Sequence, residues 1–312
     1  MGHDGTPPFA FIPDVDGRAT LDRADRLRAD SAALDRLWAD ARVVLLDADG
    51  RALADDDGML AAPTGRELSG GNGGSGVSTF LGLDDDGQAW FSLDAARTAF
   101  VAPRTVDLRS AGALWPQREA AVFAEARALQ HWHLRHRHCG ACGTGTEILR
   151  GGWQRHCPGC GLDHHPRTDP AVIVAVADGE RLLLGRQASW PARRWSVIAG
   201  FVEPGESLEQ AVAREVLEET GLRVERCQYR ASQPWPFPGQ LMLGFDAEAR
   251  GEPQPSDELE QVAWFDREAI GAARQRDLDD DGEGVLLSPP LSISRWLIER
   301  WWARTPGGAS RG

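Results

Sequence analysis

The chain has 312 residues, 42% of them apolar and 26% charged, the proportions of a folded globular protein rather than a disordered one. A formal net charge of −13 argues against sequence-independent binding to nucleic acid, DNA included, because such binding uses basic surface to replace phosphate counterions. Every basic side chain counted among the Lys and Arg is arginine, which excludes lysine Schiff-base chemistry and a phosphate-binding P-loop lysine.

Taken in chain order, residues 1–17 (MGHDGTPPFAFIPDVDG) lack the basic-then-apolar layout of a signal peptide, and no apolar run approaches a membrane span. A cytoplasmic address without a membrane partner is the expectation. Residues 1–130 read as a mixed first domain, with β-rich runs at 42–47 and 88–93. The stretch 69–78 (SGGNGGSGVS) is a flexible loop by composition. It lacks the preceding strand and following helix that a phosphate-cradling glycine loop requires. The aspartate triplets at 55–57, 84–86 and 279–281 read as solvated turns, since none begins a full EF-hand pattern.

Residues 116–138 form a helical stretch leading into two C-x-x-C knuckles, Cys139/Cys142 and Cys157/Cys160. Four thiolates at this spacing suit a tetrahedral zinc ion with no position left for water, so Zn²⁺ is expected to be structural. A disulfide framework belongs to small exported chains. With the cysteines satisfying the metal, His131, His133, His136 and His138 are expected to be exposed or stacking side chains. Cys227 reads as a small buried hydrophobe. Residues 131–165 are thus a zinc ribbon, and 166–312 a further domain.

In that last domain, 171–176 and 181–186 read as a hairpin across Asp178-Gly179. Further strands are expected at 229–233, 241–249 and 262–266, with helices at 208–220 and 293–304. The mixed order predicts α/β (α+β) layers around a mixed sheet, with 274–287 as a surface loop.

The segment 200–222, GFVEPGESLEQAVAREVLEETGL, carries the chemistry. Ser207 followed by Gln210 is a capping-box start and Gly221 a stop. At 100° per residue, Leu208, Ala211 and Val212 form an apolar stripe that continues with Glu215 and Glu219. Glu218 lies to one side and Arg214 points away. An acidic helix end is ordinarily just solvated. Here the acids continue the buried face, and burying them together costs several kcal/mol per charge unless a cation compensates. Oxygen ligands of this hardness suit Mg²⁺ or Mn²⁺, which points to phosphoryl or pyrophosphate hydrolysis by metal-activated water.

This segment resembles a complete Nudix box, G-x(5)-E-x(7)-R-E-U-x-E-E-x-G-U, through Gly200, Glu206, Arg214, Glu215, Val216, Glu218, Glu219, Gly221 and Leu222. The resemblance implies that Glu215, Glu218 and Glu219 hold metal or activate water, that Arg214 orients them by ion pairing, and that the Ala199 carbonyl is a further ligand. Downstream, Ser232 to Gln240 reads SQPWPFPGQ. Its prolines forbid helix, and Trp235 and Phe237 either cap a core or offer flat faces to a nucleobase.

That stretch is similar to the S-Q-P-W-P-F-P-x-S signature of NADH pyrophosphatases, the NudC-like branch of the Nudix superfamily. The zinc ribbon and a Nudix-like N-terminal domain belong to the same architecture. The resemblance implies an α/β/α Nudix sandwich, hydrolysis of NAD(H) to NMN(H) and AMP, removal of NAD caps from RNA 5′ ends by some members, and a homodimer. It further implies that Phe201 stacks on the nicotinamide, and that Gln233, Pro234, Trp235, Pro236, Phe237, Pro238, Gly239 and Gln240 line the dinucleotide site. Glu258 matches a distant metal ligand, and Ser294 the small residue that approaches the substrate. Two positions depart from the pattern: Gln240 replaces the signature's final serine, and His165 replaces the aromatic before Pro166-Arg167. Alternative readings are an ADP-ribose or diadenosine-polyphosphate pyrophosphatase, or a silent NAD-binding regulator, the last of which predicts eroded acids.

Overall fold

The computed structural model describes residues 21–304 apart from Ser75. The amino-terminal segment read for targeting signals, and Ser75 of the glycine-rich loop, lie outside the described residues.

The first sandwich comprises α1 (Ser31–Trp38), β1 (Arg42–Leu46), β2 (Ala52–Ala54), α2 (Gly65–Leu68), β3 (Ser78–Leu83), β4 (Ala89–Asp94), β5 (Arg104–Val106), α3 (Leu108–Leu114) and α4 (Gln117–Arg135). Its sheet order is β3-β4-β1-β2-β5, with β1 parallel to β4 and the other pairs antiparallel. The run RVVLL of β1 has no polar face because both faces are covered. Val43 and Leu45 cluster with Leu34 and Trp38 of α1, while Val44 and Leu46 cluster with Phe123 and Ala126 of α4. The aspartates of the first two acidic triplets close hairpin turns: Asp55 accepts from the Asp57 and Met59 amides, and Asp84 from those of Asp86 and Gln88.

The helix α4 runs unbroken past position 130 into the ribbon, whose three antiparallel strands are β6 (Glu147–Leu149), β7 (Gln154–His156) and β8 (Asp163–His164). The histidines on and just after α4 depart in part from expectation. His136 packs on Trp132 and His138 is exposed, but His133 faces inward, its Nδ1 3.1 Å from Arg155 Nη1. The ribbon supplies a buried arginine that needs an acceptor, a partner invisible in local sequence.

The last sandwich holds β9 (Asp169–Ala177), β10 (Leu182–Arg186), β11 (Ile198–Phe201), α5 (Leu208–Thr220), β12 (Val224–Trp235), β13 (Gln240–Ala249), β14 (Gln261–Phe265), α6 (Arg267–Arg274) and α7 (Ile293–Ala303). Sheet order is β12-β13-β9-β10-β14, with β11 also paired to β9. β13 runs parallel to β9 and the remaining pairs are antiparallel, so the sheet is mixed. Alternation along β9 sends Val172, Val174 and Val176 to the α5 side and Ile173 and Ala175 to the α7 side. The layers are therefore α/β/α. The 178–179 turn does join β9 to β10, yet only Leu182 pairs with Ala177, because β11 occupies the rest of that edge. The surface segment after α6 is tied down by Arg193, which donates to Asp280 and to the Gly284 carbonyl. Cys227 is half-buried in β12. Among the described residues no helix is long and apolar enough to cross a membrane.

The strand expected at 229–233 runs further at both ends: β12 continues through Trp235, paired with Gln240, and only 236–239 form the turn. β12 is an edge strand and contains only one of the three prolines, Pro234, whose missing N–H such a strand tolerates.

Candidate active site

The site begins where β11 hands the chain to α5. Ser207 accepts from the Gln210 amide (3.3 Å) while Gln210 Oε1 accepts from the Ser207 amide (2.8 Å), and Gly221 at φ 71° ends the helix. Between these caps the buried residues are Ala211, Val212, Glu215, Val216, Glu219 and Thr220. Glu215 and Glu219 thus lie on the buried face and Glu218 beside it, exposed.

Arg214 starts from the outer side of α5, but its long side chain folds back across the acids, a freedom that helical angles alone do not reveal. It donates to both carboxylate oxygens of Glu206 (2.6 and 3.1 Å), to Glu215 (2.8 Å), to Glu218 (3.1 Å) and to the Phe201 carbonyl (2.8 Å). The pair with Glu206 holds that carboxyl below the usual carboxylate range, and these bonds raise the arginine's own pKa. Gly200 explains itself here: a Cβ at that position would lie 1.9 Å from Glu215 Cδ, so only glycine lets the carboxylate rest against β11.

Burial raises the Glu215 pKa despite Arg214. Glu219 is pushed up to about 8, first by burial and then by the charges of Glu215, Glu258 and Glu218. Glu258 sits on an exposed segment that Gln254 and Ser256 pin to the end of α5 through the Thr220 and Glu219 carbonyls (2.9 and 3.2 Å). With Glu206 included, five carboxylates against one arginine leave negative charge that a hard divalent cation would neutralise. The residues therefore fit Mg²⁺ or Mn²⁺, which when bound supplies an activated water and neutralises phosphate charge. Glu215, Glu219 and Glu258 would hold it, together with the carbonyl of Ala199, which lies in β11 opposite Ile173.

The other candidate residues divide into surface and scaffold. Phe201, at 53% exposure, presents a free ring beside Gly200. Pro234, Pro238 and His165 are exposed, and Gly239 and Gln240 are half-buried. Register places the hairpin tip at the same end of the sheet: Gln240 pairs with Asp169 and Phe201 with Ala171, two residues along β9. Of the two roles the sequence offers for the tip aromatics, Phe237 takes that of a cap on a core. Phe237 packs on the first sandwich's core, and Pro236 is buried. The Arg109 guanidinium lies 4.3 Å from the Phe237 ring centroid and 5.5 Å from that of Trp235. Gln233 is fully buried, its amide bonded to the Leu291 carbonyl and the Ile293 amide, both at 2.8 Å. Ser294 is also buried, in a hydroxyl chain with Ser196 (2.8 Å) and Ser288 (3.1 Å). Arg109 and Arg127, which hold the tip from the first sandwich, carried no sequence signal. The Glu206 partner of Arg214 did carry one, as a fixed position of the box.

In the ribbon the sulfurs of Cys139, Cys142, Cys157 and Cys160 all lie within 4.8 Å of one another, with Cys142–Cys157 at 3.4 Å and Cys139–Cys160 at 3.7 Å. A tetrahedron with Zn–S bonds of ~2.3 Å has edges of ~3.8 Å, so the thiols fit Zn²⁺. The knuckles share one backbone design: Gly143 N–H donates to the Cys139 carbonyl and Gly161 N–H to that of Cys157, both glycines at φ 76°. Among the described residues no fifth donor joins the cluster, which suits a structural metal.

Comparison with known proteins agrees along the length of the chain. The NUDIX domain matches residues 167–285, the NADH pyrophosphatase zinc ribbon domain 134–164, and the NADH pyrophosphatase-like rudimentary NUDIX domain 40–132. The NAD-capped RNA hydrolase NudC of Mycobacterium bovis (strain BCG / Pasteur 1173P2) is 39% identical over 298 residues, covering 92% of this chain and 94% of that protein. NudC of Stutzerimonas stutzeri (strain A1501) is 45% identical over 189 residues, 60% of this chain and 63% of that one. The NAD-capped RNA hydrolase NUDT12 of Macaca fascicularis is 40% identical over 197 residues, 59% and 42% respectively. With the acid helix, the sulfur tetrahedron and near end-to-end kinship in view, the chain belongs to the NudC-like, zinc-ribbon-bearing NADH pyrophosphatase family of Nudix hydrolases.

Proposed function

We propose that this Nudix hydrolase cleaves the pyrophosphate of NADH and NAD, giving NMN(H) and AMP, and removes NAD caps from RNA 5′ ends. Water attacks one phosphorus, the bridging P–O bond breaks, and two monophosphates leave. The observation that carries the reading is the acid set Glu215, Glu218 and Glu219, with Glu258 acting on it electrostatically, beside the exposed ring of Phe201. The names of its relatives, NAD-capped RNA hydrolases, support the substrate class.

In this reading Glu215, Glu219, Glu258 and the Ala199 carbonyl would hold the divalent cation, and Glu218 would share in activating water. Arg214 keeps the acids in register through its bonds to Glu206, Glu215 and Glu218. Phe201 stacks on the nicotinamide. His165, Gln240, Trp235 and the exposed Pro234 and Pro238 border the dinucleotide. Gln233 and Ser294 act through the hairpin and α7, which they fix in place. The division into units 1–130, 131–165 and 166–312, a homodimeric assembly, a cytoplasmic address and the absence of DNA as a partner belong to the same proposal.

The test is steady-state hydrolysis of NADH, NAD, ADP-ribose and an NAD-capped RNA with Mg²⁺ or Mn²⁺, with Glu219→Gln as control. The expected result is the highest kcat/KM on a nicotinamide dinucleotide, cap removal from the RNA, and a dead variant. A clear preference for ADP-ribose would reassign the substrate, and inactivity on all four would overturn the reading.

A further inference from the structure

Away from the acids of α5, a cavity of about 560 Å³ opens where the first sandwich meets the ribbon. Strands β3 and β4, the last turns of α4, and β6 and β7 form its walls. Three guanidinium groups line it, those of Arg97, Arg137 and Arg155, with a single carboxylate, Asp94. For a chain of net charge −13 this is a marked local reversal of sign.

Arg155 is 6% exposed. It donates to the Thr146 hydroxyl (2.7 Å) and carbonyl (3.2 Å), and Nη1 lies 3.1 Å from His133 Nδ1. Each of these partners is neutral when His133 accepts from the guanidinium. A buried cation surrounded only by neutral acceptors retains an unneutralised charge, which an anionic partner would compensate. Arg97 and Arg137, both exposed, make no ion pair among the described residues. Asp94 is already engaged as the cap of Ala96.

Sequence and fold explain the placement. The two knuckles open alike, as Arg137-His138-Cys139 and Arg155-His156-Cys157. The closed sulfur cluster therefore holds both arginines two residues from a fixed point, one just beyond α4 and one in β7. The remaining wall is mixed, with Leu46, Val77, Leu93 and Ile148 beside the polar Thr79, Ser92 and Gln130. Guanidinium groups match the oxygens of a phosphate in charge and geometry, and the volume lies in the range of small-ligand sites.

We infer that this cavity is a second ligand site, separate from the Nudix acids, for a small phosphate ester. Arg155 at the floor and Arg97 and Arg137 at the mouth hold the phosphate, and the mixed wall, with Thr79, Ser92 and Gln130 among its residues, takes the organic part. The site is independent of the reading of the catalytic reaction.

Titration calorimetry on the full zinc-loaded chain without Mg²⁺ or Mn²⁺ tests it, with ribose 5-phosphate, inorganic phosphate and ribose as probes. Ribose 5-phosphate is expected to bind one site per chain and ribose not at all. An Arg97→Ala/Arg137→Ala double variant, altered only at exposed side chains, is expected to bind at least about tenfold more weakly. Glu219→Gln is expected to bind as the wild type does. Binding that survives the double variant, or that is lost in Glu219→Gln, would overturn the assignment, as would the absence of any heat with ribose 5-phosphate. Inorganic phosphate binding as tightly as the ester would overturn the assignment to an ester.

Discussion

Arg127, on α4 of the first sandwich, donates a hydrogen bond to the carbonyl oxygen of Pro236 at the tip of the β12–β13 hairpin, and its guanidinium lies 5.5 Å from the Phe237 ring. With Arg109 from α3 on the same ring, the first sandwich grips the hairpin that the proposed function assigns to the dinucleotide. Arg127 is drawn out of water for this contact, and burial lowers its pKa. Under the proposed function, the first sandwich, which carries none of the Nudix acids, would be a positioning element for the hairpin.

Arg127→Ala should loosen the hairpin tip without touching the acids. KM for NADH is expected to rise about five- to tenfold, the loss of roughly one charge-assisted hydrogen bond, with kcat changed less. Arg127→Lys should recover part of the loss, since an ammonium still reaches a carbonyl but does not stack on the ring in the same way. Steady-state kinetics of the three proteins, with melting temperatures alongside, decide the matter. Equal KM values would show that the hairpin holds its shape unaided.

Gly200→Ala probes the opposite end of the site. The added methyl would occupy the space of the Glu215 carboxyl, so the acid must swing away and strain its bond to Arg214 (2.8 Å). Misplacing a group by about 1 Å costs on the order of 10²-fold in rate, and kcat is expected to fall by that much. Zinc content should be unchanged, because the sulfur site lies in another module. A variant with wild-type kcat would mean that Glu215 does not need its place against β11.

What the sequence made legible follows from range. The capping box, the apolar stripe and the acids of α5 repeat every three or four residues, so a local pattern revealed the helix and its buried glutamates. The four cysteines likewise declare themselves by spacing. Legibility failed where a partner is distant in sequence. Nothing near Phe237 announces Arg109 or Arg127. Nothing near Gln233, a polar residue in a proline-rich strand, announces the backbone groups of Leu291 and Ile293 some sixty positions later. His133 looked like one of four similar histidines until β7 brought Arg155 to it.

Gln233 turns that lesson into a measurement. Its amide satisfies the Leu291 carbonyl and the Ile293 amide at the start of α7 inside a fully buried position. Gln233→Ala would strand both groups, at a cost of roughly 2–4 kcal/mol, a loss of several degrees in melting temperature. The hairpin and α7 would lose their mutual alignment. Differential scanning calorimetry should show this destabilisation even without substrate. An unchanged melting temperature paired with a raised KM would instead make Gln233 a direct substrate contact.

His133 predicts how stability responds to acid. Burial, and then the Arg155 charge, hold its pKa down to about 4, against about 6.5 for an unfolded imidazole. Between those values the unfolded chain binds a proton that the folded one refuses. The folded state therefore keeps this group's full contribution above about pH 6.5 and loses it as pH falls toward 4. From pH 7 to 5.5 the loss should be about 1 kcal/mol. Urea unfolding of the zinc-saturated wild type and of His133→Gln at both pH values isolates the effect, because acid release of zinc is common to both proteins. Glutamine can still accept from Arg155 but does not titrate, so its stability should fall by about 1 kcal/mol less over that interval. Parallel pH dependences would show that the imidazole is not held neutral by its buried arginine neighbour.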